Sequence, residues 1–328
     1  MRYLIFLLML FSGPALHAQG LESNISVHDP VITKEGDTYY IFATGAGIQV
    51  WSSKDMKLWK HEPPVFSATP EWAVKAVPEF KNFIWAPDIY HDNGQYYLYY
   101  SISAFGKNTS AIGVATNKTL DAASSDFKWT DHGMVIQSVP GKTDFNAIDP
   151  NVIKDENNTP WMVFGSFWGG IKQVKLGNDL LHVADGLNEI KTIASRIVQK
   201  EPADAIHAGP NAIEAPFIFK KEKYYYLFAS IDYCCRGKNS TYKMIVGRSK
   251  KVTGPYLDAE GKPLAKGGGT ILLEGDSDWY GVGHNAVSDF DGTSYLVFHG
   301  YAAKENGKPK LRIEKLKWIK GWPVVQSN

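Results

Sequence analysis

Five short segments carry polar or titratable side chains at a near-constant spacing. They are His28-Asp29-Pro30, Ala86-Pro87-Asp88, Ile148-Asp149-Pro150, Glu214-Ala215-Pro216 and Gly283-His284-Asn285, and Asp29, Asp88, Asp149, Glu214 and His284 follow one another at intervals of 59 to 70 residues. A lone Asp-Pro is ordinarily a turn, because proline fixes φ and stiffens the start of a strand. Five in one phase are a set that a repeating fold can gather at one place. Three carboxylates around a cavity with aromatic neighbours suit hydrolysis of a glycosidic bond, in which one acid protonates the leaving oxygen and another activates water or attacks carbon. Glu214 lies in the apolar frame Ala212-Ile213-Glu214-Ala215-Pro216. Burial there disfavours the charged form, which marks Glu214 for the general-acid role.

What must position these residues is legible in the stretches that follow them. Each segment is succeeded by an aromatic or β-branched run and then by an alternating one. Examples are Tyr39-Tyr40-Ile41-Phe42 before Ile48-Gln49-Val50-Trp51, and Tyr295-Leu296-Val297-Phe298 before Leu311-Arg312-Ile313. Such runs read as strands. No segment keeps an apolar period of 3.6, and 121–126 and 178–182 read as loops by composition. A unit of this length fits one four-stranded blade with its loops. Five units predict an all-β, five-bladed β-propeller forming a single domain over residues 19–328, with the first strand of each blade lining a central channel.

The composition agrees. The chain has 328 residues, 13% of them aromatic, with 30 Gly and 17 Pro, as expected for many strands joined by tight turns. Lys+Arg number 35 against 34 Asp+Glu, a net charge of +1, which argues against a nucleic-acid partner. The sequence predicts no membrane span and a monomer. Residues 1–18 have a basic start, a short apolar stretch and a small-residue exit at Ala18, the pattern of a signal peptide. The expected location is therefore secreted or periplasmic. Cys234 and Cys235 are the only cysteines and are adjacent. They read either as a vicinal disulfide or as two buried thiols beside a loop.

Several further side chains suit a sugar site. Trp85, Phe105, Phe167 and Trp168 offer faces on which a sugar can stack, and Arg236 can bind hydroxyls or orient a carboxylate. His284 has no cysteine or second histidine at metal spacing, which leaves zinc unsupported. A hard cation held by one imidazole and water, or a hydrogen-bonded core histidine, are the two readings the residues leave. No nucleophile elbow, phosphate loop or dinucleotide fingerprint is present.

Taken together, several segments resemble glycoside hydrolase family 43, in particular its arabinan endo-1,5-α-L-arabinanases. They are His28-Asp29-Pro30, Trp85-Ala86-Pro87-Asp88, Asn146-Ala147-Ile148-Asp149-Pro150, Gly165-Ser166-Phe167-Trp168-Gly169, Ile213-Glu214-Ala215-Pro216, Tyr233-Cys234-Cys235-Arg236-Gly237, Gly283-His284-Asn285 and Gly321-Trp322-Pro323. The resemblance runs from about Val27 to Val325. It implies an inverting, endo-acting hydrolase of α-1,5-linked arabinan or arabino-oligosaccharides. Asp29 is then the general base, Glu214 the general acid, and Asp149 the residue that orients the acid and tunes its pKa. Sugar contacts are implied for Asp29, Gly113, Asn146, Ala147, Ile148, Asp149, Gly165, Ser166 and Phe167. His284 matches a histidine that helps hold a central divalent cation, calcium being expected. The same family includes exo-acting α-L-arabinofuranosidases and β-xylosidases, and a non-catalytic carbohydrate-binding propeller is the alternative of a different class. Residues 63–83 are expected to bear on endo against exo action.

Overall fold

The computed structural model describes residues 25–184, 186, 189–197 and 208–326; the signal-peptide reading of residues 1–18 lies outside them. The described chain folds into five antiparallel sheets arranged as a five-bladed β-propeller. The first blade is built from β1 (Val31–Glu35), β2 (Thr38–Ala43), β4 (Gln49–Ser53) and β5 (Lys60–Glu62). The second has β6 (Phe83–Asp92), β7 (Gln95–Ile102), β8 (Ser110–Asn117) and β9 (Thr130–Ser138), with the two-residue β3 (Gly45–Ala46) paired to β6. The third has β10 (Asn151–Lys154), β11 (Pro160–Phe164), β12 (Ile171–Lys175) and β13 (Lys191–Ala194). The fourth has β14 (Ile213–Lys221), β15 (Tyr224–Ile231), β16 (Lys243–Ser249) and β17 (Thr270–Leu273). The fifth has β18 (Trp279–Phe290), β19 (Thr293–Ala302), β20 (Lys308–Ile319) and β21 (Trp322–Val325).

The turn chemistry explains the hairpins. Asn93-Gly94 joins β6 to β7 and Asp291-Gly292 joins β18 to β19, with φ positive at both residues of each pair. A two-residue loop of that kind matches the right-handed strand twist, and Asn, Asp and Gly tolerate it best. Among the described residues one α-helix departs from the all-strand expectation. It is α1 (Glu71–Ala76), six residues long, too short to display a 3.6-residue period. Its Trp72 donates from the indole N–H to Asp131 on β9.

The cores lie between blades. Tyr99, Ile112 and Val114 of the second blade pack with Val152, Met162 and Phe164 of the third. Tyr226 and Phe228 of the fourth pack with Val287, Leu296 and Phe298 of the fifth. The ring closes where Ile41 of the first blade meets Val297 and Ile313 of the fifth. Leu311 donates its N–H to the carbonyl of Ile25 at the same seam.

Each blade enters its inner strand through one left-handed residue. These are Asp29 (φ 53°), Ala86 (45°), Asp149 (58°), Ala215 (51°) and His284 (54°). A side-chain-bearing residue disfavours this region, so something must hold it. The N–H of four of the five is taken by the preceding blade: Asp29 by His299 Nδ1, Ala86 by Thr44 Oγ1, Asp149 by Ser101 Oγ and His284 by Ser230 Oγ. Proline follows in four of the five and asks for no partner of its own.

This repeat corrects the sequence phase at one point. The second blade's equivalent of Asp29 is Ala86, and Asp88 lies two residues further on. Its carboxylate is buried away from the channel and accepts from Val152 N–H (2.9 Å) and the Asn151 side-chain amide (3.3 Å). Asn151 in turn accepts from Ile218 N–H (2.8 Å). These bonds clasp the second blade to the third and the third to the fourth. Asp88→Ala would leave the Val152 N–H and the Asn151 amide without that partner, at about 2–4 kcal/mol. Thermal unfolding should show a lower melting temperature, with the folded variant still active. Asp88→Asn keeps an acceptor and should cost less. A melting temperature unchanged in Asp88→Ala would refute the clasp.

Candidate active site

The inner strands converge on a cavity of ≈ 450 Å³. Asp29, Asp149, Glu214 and His284 all line it, although 255 residues separate the first from the last. The left-handed entry residue puts Asp29, Asp149 and His284 there directly. Glu214 precedes its blade's left-handed Ala215, at a break in the β14–β15 register.

Asp29 is almost fully held. Its Oδ1 accepts from His28 Nδ1 at 2.8 Å and from His284 Nδ1 at 3.0 Å, and its Oδ2 accepts from the Thr44 hydroxyl at 2.5 Å. A carboxylate offers about four lone-pair sites, so one remains for a water or a sugar hydroxyl. Burial alone would raise its pKa, but the His28 and His284 imidazoles overcome this and hold it well below the usual carboxylate range. His284 is the complement. Burial opposes its charge, yet Asp29, Asp149 and Glu214 outweigh burial and push it up to about 9.

Glu214 accepts a hydrogen bond from Ser166 Oγ at 2.7 Å. Asp149 accepts from the N–H of Ala215 at 3.0 Å, which ties it to the backbone beside Glu214. This is the fifth left-handed N–H, and it is taken by a carboxylate that lines the cavity. Burial pushes Asp149 up to about 7, with Glu214 and Asp29 adding to the rise and His284 opposing it. Asp149 therefore keeps its proton to higher pH than an ordinary carboxyl, beside the backbone that carries Glu214.

The other expected contact residues divide. Asn146, Ile148, Ser166 and Phe167 line the cavity. Asn146 is 3% exposed and its Oδ1 has no protein hydrogen-bond partner; buried polar atoms ordinarily have one, which suits an acceptor kept for ligand. Phe167 is anchored by its N–H to the carbonyl of Ile213. Ala147 is fully buried behind this wall, its N–H on Ser138 Oγ. Gly165 stands behind it too: with φ 125° and a notional Cβ 2.7 Å from the Gly170 carbonyl, it makes the turn that presents Ser166 and Phe167. Gly113 is the correction. It lies on β8 opposite Tyr100, and a Cβ there would meet Trp72 and Tyr100 at 2.6 Å. It is a packing glycine, off the cavity wall.

Of the aromatic residues, Trp85, Phe105, Phe167 and Trp168 all reach the wall, Phe105 as a rim residue 80% exposed. A second depression of ≈ 600 Å³ shares Trp85 and Phe105 with the cavity and continues to Glu79, Lys81 and Phe83. Arg236 lies flat on Tyr233, 3.9 Å from guanidinium carbon to ring centroid. Cys234 and Cys235 form a disulfide on the same wall.

Sequence reasoning missed Thr44, His299, Tyr301 and Tyr242. The fully buried Tyr242 hydroxyl is raised by burial first and then by Glu214 and Asp149, which places it against the acids. Gly283 carried a signal for it, because a Cβ there would sit 2.2 Å from the Tyr242 ring. The tyrosine itself lies outside the repeat and has no motif.

The whole chain is similar to known proteins. The chain matches the glycosyl hydrolases family 43 over residues 23–323. An extracellular exo-α-(1→5)-L-arabinofuranosidase of Cellvibrio japonicus is 51% identical, aligned over 93% of this chain and 87% of its own length. An extracellular endo-α-(1→5)-L-arabinanase of Bacillus subtilis is 41% identical over 97% and 93%. An α-L-arabinanase of Cellvibrio cellulosa, solved with arabinohexaose, superposes with a TM-score of 0.89 at 50% identity, over 92% of this chain and 96% of its own. Fold, inner-strand motifs and full-length similarity agree: the chain is a glycoside hydrolase and belongs to glycosyl hydrolase family 43.

Proposed function

We propose that the protein hydrolyses α-1,5-linked L-arabinofuranosyl bonds of arabinan or arabino-oligosaccharides with inversion at the anomeric carbon, outside the cytoplasm. The observation that carries this reading is the division of labour among the carboxyls. Asp29 is held ionised with one lone-pair site open, while Asp149, tied to the backbone beside Glu214, keeps its proton up to about pH 7. Asp29 takes a proton from water as the water attacks the anomeric carbon. Glu214, oriented by Ser166 and by Asp149 through the Ala215 N–H, protonates the departing O5. An inverting pair needs a gap of about 6.5–9.5 Å to seat that water. The arabinan specificity and the extracellular setting are supported by the names of the relatives and by the reading of residues 1–18.

Two modes of action compete. Endo cleavage follows from the family resemblance, and the depression running from Trp85 to Phe83 would let a chain extend beyond the cavity. Exo cleavage is favoured by the 51%-identical relative. Products from linear arabinan over time separate them: mixed long oligosaccharides appear first in endo cleavage, and a single short product in exo cleavage. Proton NMR of the first-formed sugar should show the anomeric configuration opposite to the substrate's; the starting configuration would overturn the inverting assignment.

The pH profile follows from the same charges. Protonation of the leaving oxygen needs a proton held on this side of the cavity, so kcat/KM should fall as pH rises through about 7, where Asp149 loses its proton. Asp29 protonates only well below the usual carboxylate range, so the profile should stay flat far into acid. Asp149→Asn should move the alkaline limb. Glu214→Ala should lose roughly 100- to 10,000-fold on polymer, and less on a substrate with a good leaving group. Near-normal activity of Glu214→Ala on arabinan would remove it from the acid role.

The expected cation has a limited donor set. His284 Nδ1 is bound to Asp29, and its Nε2 has no partner among the described residues. Asn285 beside it keeps both amide atoms buried without a protein partner, as an ordered hydration shell would allow. This set suits a hydrated hard cation with one protein ligand, His284. A bound calcium ion would supply positive charge that favours ionised acids. The ring must shed its proton first, so binding should tighten as pH rises towards 9. Calcium titration should raise the melting temperature of the wild type and leave that of His284→Ala unchanged. Equal responses in the two proteins would exclude His284 as the ligand.

A further inference from the structure

A ring of hydrogen bonds stands behind Asp29, and its hydrogens can be counted. The Asp29 N–H donates to His299 Nδ1 at 3.1 Å, so that nitrogen carries no proton and His299 holds its proton on Nε2. From there it donates to the Tyr301 hydroxyl at 3.2 Å. The Cys235 N–H donates to the same oxygen at 2.7 Å. Both lone pairs of Tyr301 are then used, and its own proton goes to His28 Nε2 at 2.8 Å. His28 therefore carries its proton on Nδ1 and donates to Asp29 Oδ1 at 2.8 Å. The circuit begins and ends on Asp29. His28 stacks on His299 with centroids 3.9 Å apart, and His299 and Tyr301 are 0% and 2% exposed. His28, Asp29 and His299 bring ligand-type atoms within 4.8 Å of one another, but this accounting leaves no nitrogen free for a metal.

The circuit has a backbone anchor with unusual chemistry. Cys235 is left-handed, with φ 65°, and is bonded through sulfur to Cys234. The small ring closed by that bond limits the peptide between them and keeps the Cys235 N–H aimed at Tyr301. Cys235 is exposed, so a reductant can reach it. We propose that Tyr301 and His28 are positioning residues for Asp29, and that the Cys234–Cys235 disulfide fixes the far end of their circuit. The proposal rests on the reading of Asp29 as the general base. Reduction by a dithiol adds two electrons and two protons, giving two cysteine thiols and the oxidised reductant. Cys235 is then free to leave the left-handed region, the bond to Tyr301 is lost, and the aim of Asp29 loosens.

The experiment is a cycle of two changes, Tyr301→Phe and dithiothreitol reduction, with thiol content followed by alkylation and mass. Tyr301→Phe keeps the buried ring and removes the hydroxyl. It should lower kcat roughly 10- to 100-fold, the range expected when a reacting group is misplaced, with KM changed less than about twofold. Reduction of the wild type should lower kcat in the same way and reoxidation should restore it. Reduction of Tyr301→Phe should lower kcat no further. Independent, multiplying effects would overturn the circuit, as would a change confined to KM, which is what a disulfide serving only as cavity wall would give. Melting curves exclude global unfolding, and the Cys234→Ser/Cys235→Ser double variant repeats the reduced arm without reagent. Asp29→Ala, tested with and without azide, checks the base reading separately. If Asp29→Ala is inactive and azide-rescued but the cycle is additive, the circuit alone fails. If Asp29→Ala is active, the base reading fails.

Discussion

Five left-handed residues at the mouths of the inner strands set the rest of the structure. Each costs backbone energy for a side-chain-bearing residue, and each is held because its N–H is captured by a neighbouring element. Four are captured by the end of the preceding blade, so the same bond that fixes the local turn also sets one blade against the next. The turn throws the side chain at that position, or the one before it, into the channel. Function can therefore be placed there without disturbing the sheets. Where no chemistry is placed, as at Ala86, the residue is small and the turn is purely architectural.

The charges within the channel constrain one another in turn. Four titratable groups are buried around one cavity, and a low-dielectric site cannot hold three free carboxylates. His284 and His28 compensate Asp29, which stays ionised. Asp149 has less compensation, and burial holds its proton up to about pH 7. In the proposed mechanism, base and acid thus differ through their neighbours and not through residue type. Thr44 ties this asymmetry back to the scaffold: its hydroxyl donates to Asp29 while accepting the N–H of the second blade's left-handed Ala86.

Much of this was legible before the structure. The repeat length, the aromatic runs and the Pro-marked segments specify five blades, because strand period and turn chemistry are local signals. The phase is legible to within two residues: the repeat points to the acid of Trp85-Ala86-Pro87-Asp88 for the channel, whereas the left-handed residue is Ala86 and Asp88 faces the third blade. Nothing local distinguishes these, since the difference is one bulge in β6. The family resemblance implies Gly113 as a sugar contact, and the packed Trp72 and Tyr100 show why a Cβ is excluded there. Tyr242, His299 and Tyr301 carry no signal because His299 and Tyr301 come from a second strand and Tyr242 from the approach to a third, where no motif repeats.

Blade four is where scaffold and chemistry meet. Its left-handed N–H, on Ala215, goes to the Asp149 carboxylate and not to a hydroxyl or imidazole of the preceding blade's second strand. The corresponding place in the third blade, after β11, is occupied by Gly165-Ser166-Phe167, and Ser166 is committed to Glu214. Asp149 and Ser166 have in effect exchanged the partners that the repeat would assign them. One holds the backbone on which Glu214 rides and the other holds its carboxyl. A hydroxyl in place of Asp149 could satisfy the Ala215 N–H equally well, but it would remove the titratable carboxyl that stands beside Glu214. The departure from the repeat is thus explained by the need for a carboxylate at a point where architecture alone needs only an acceptor.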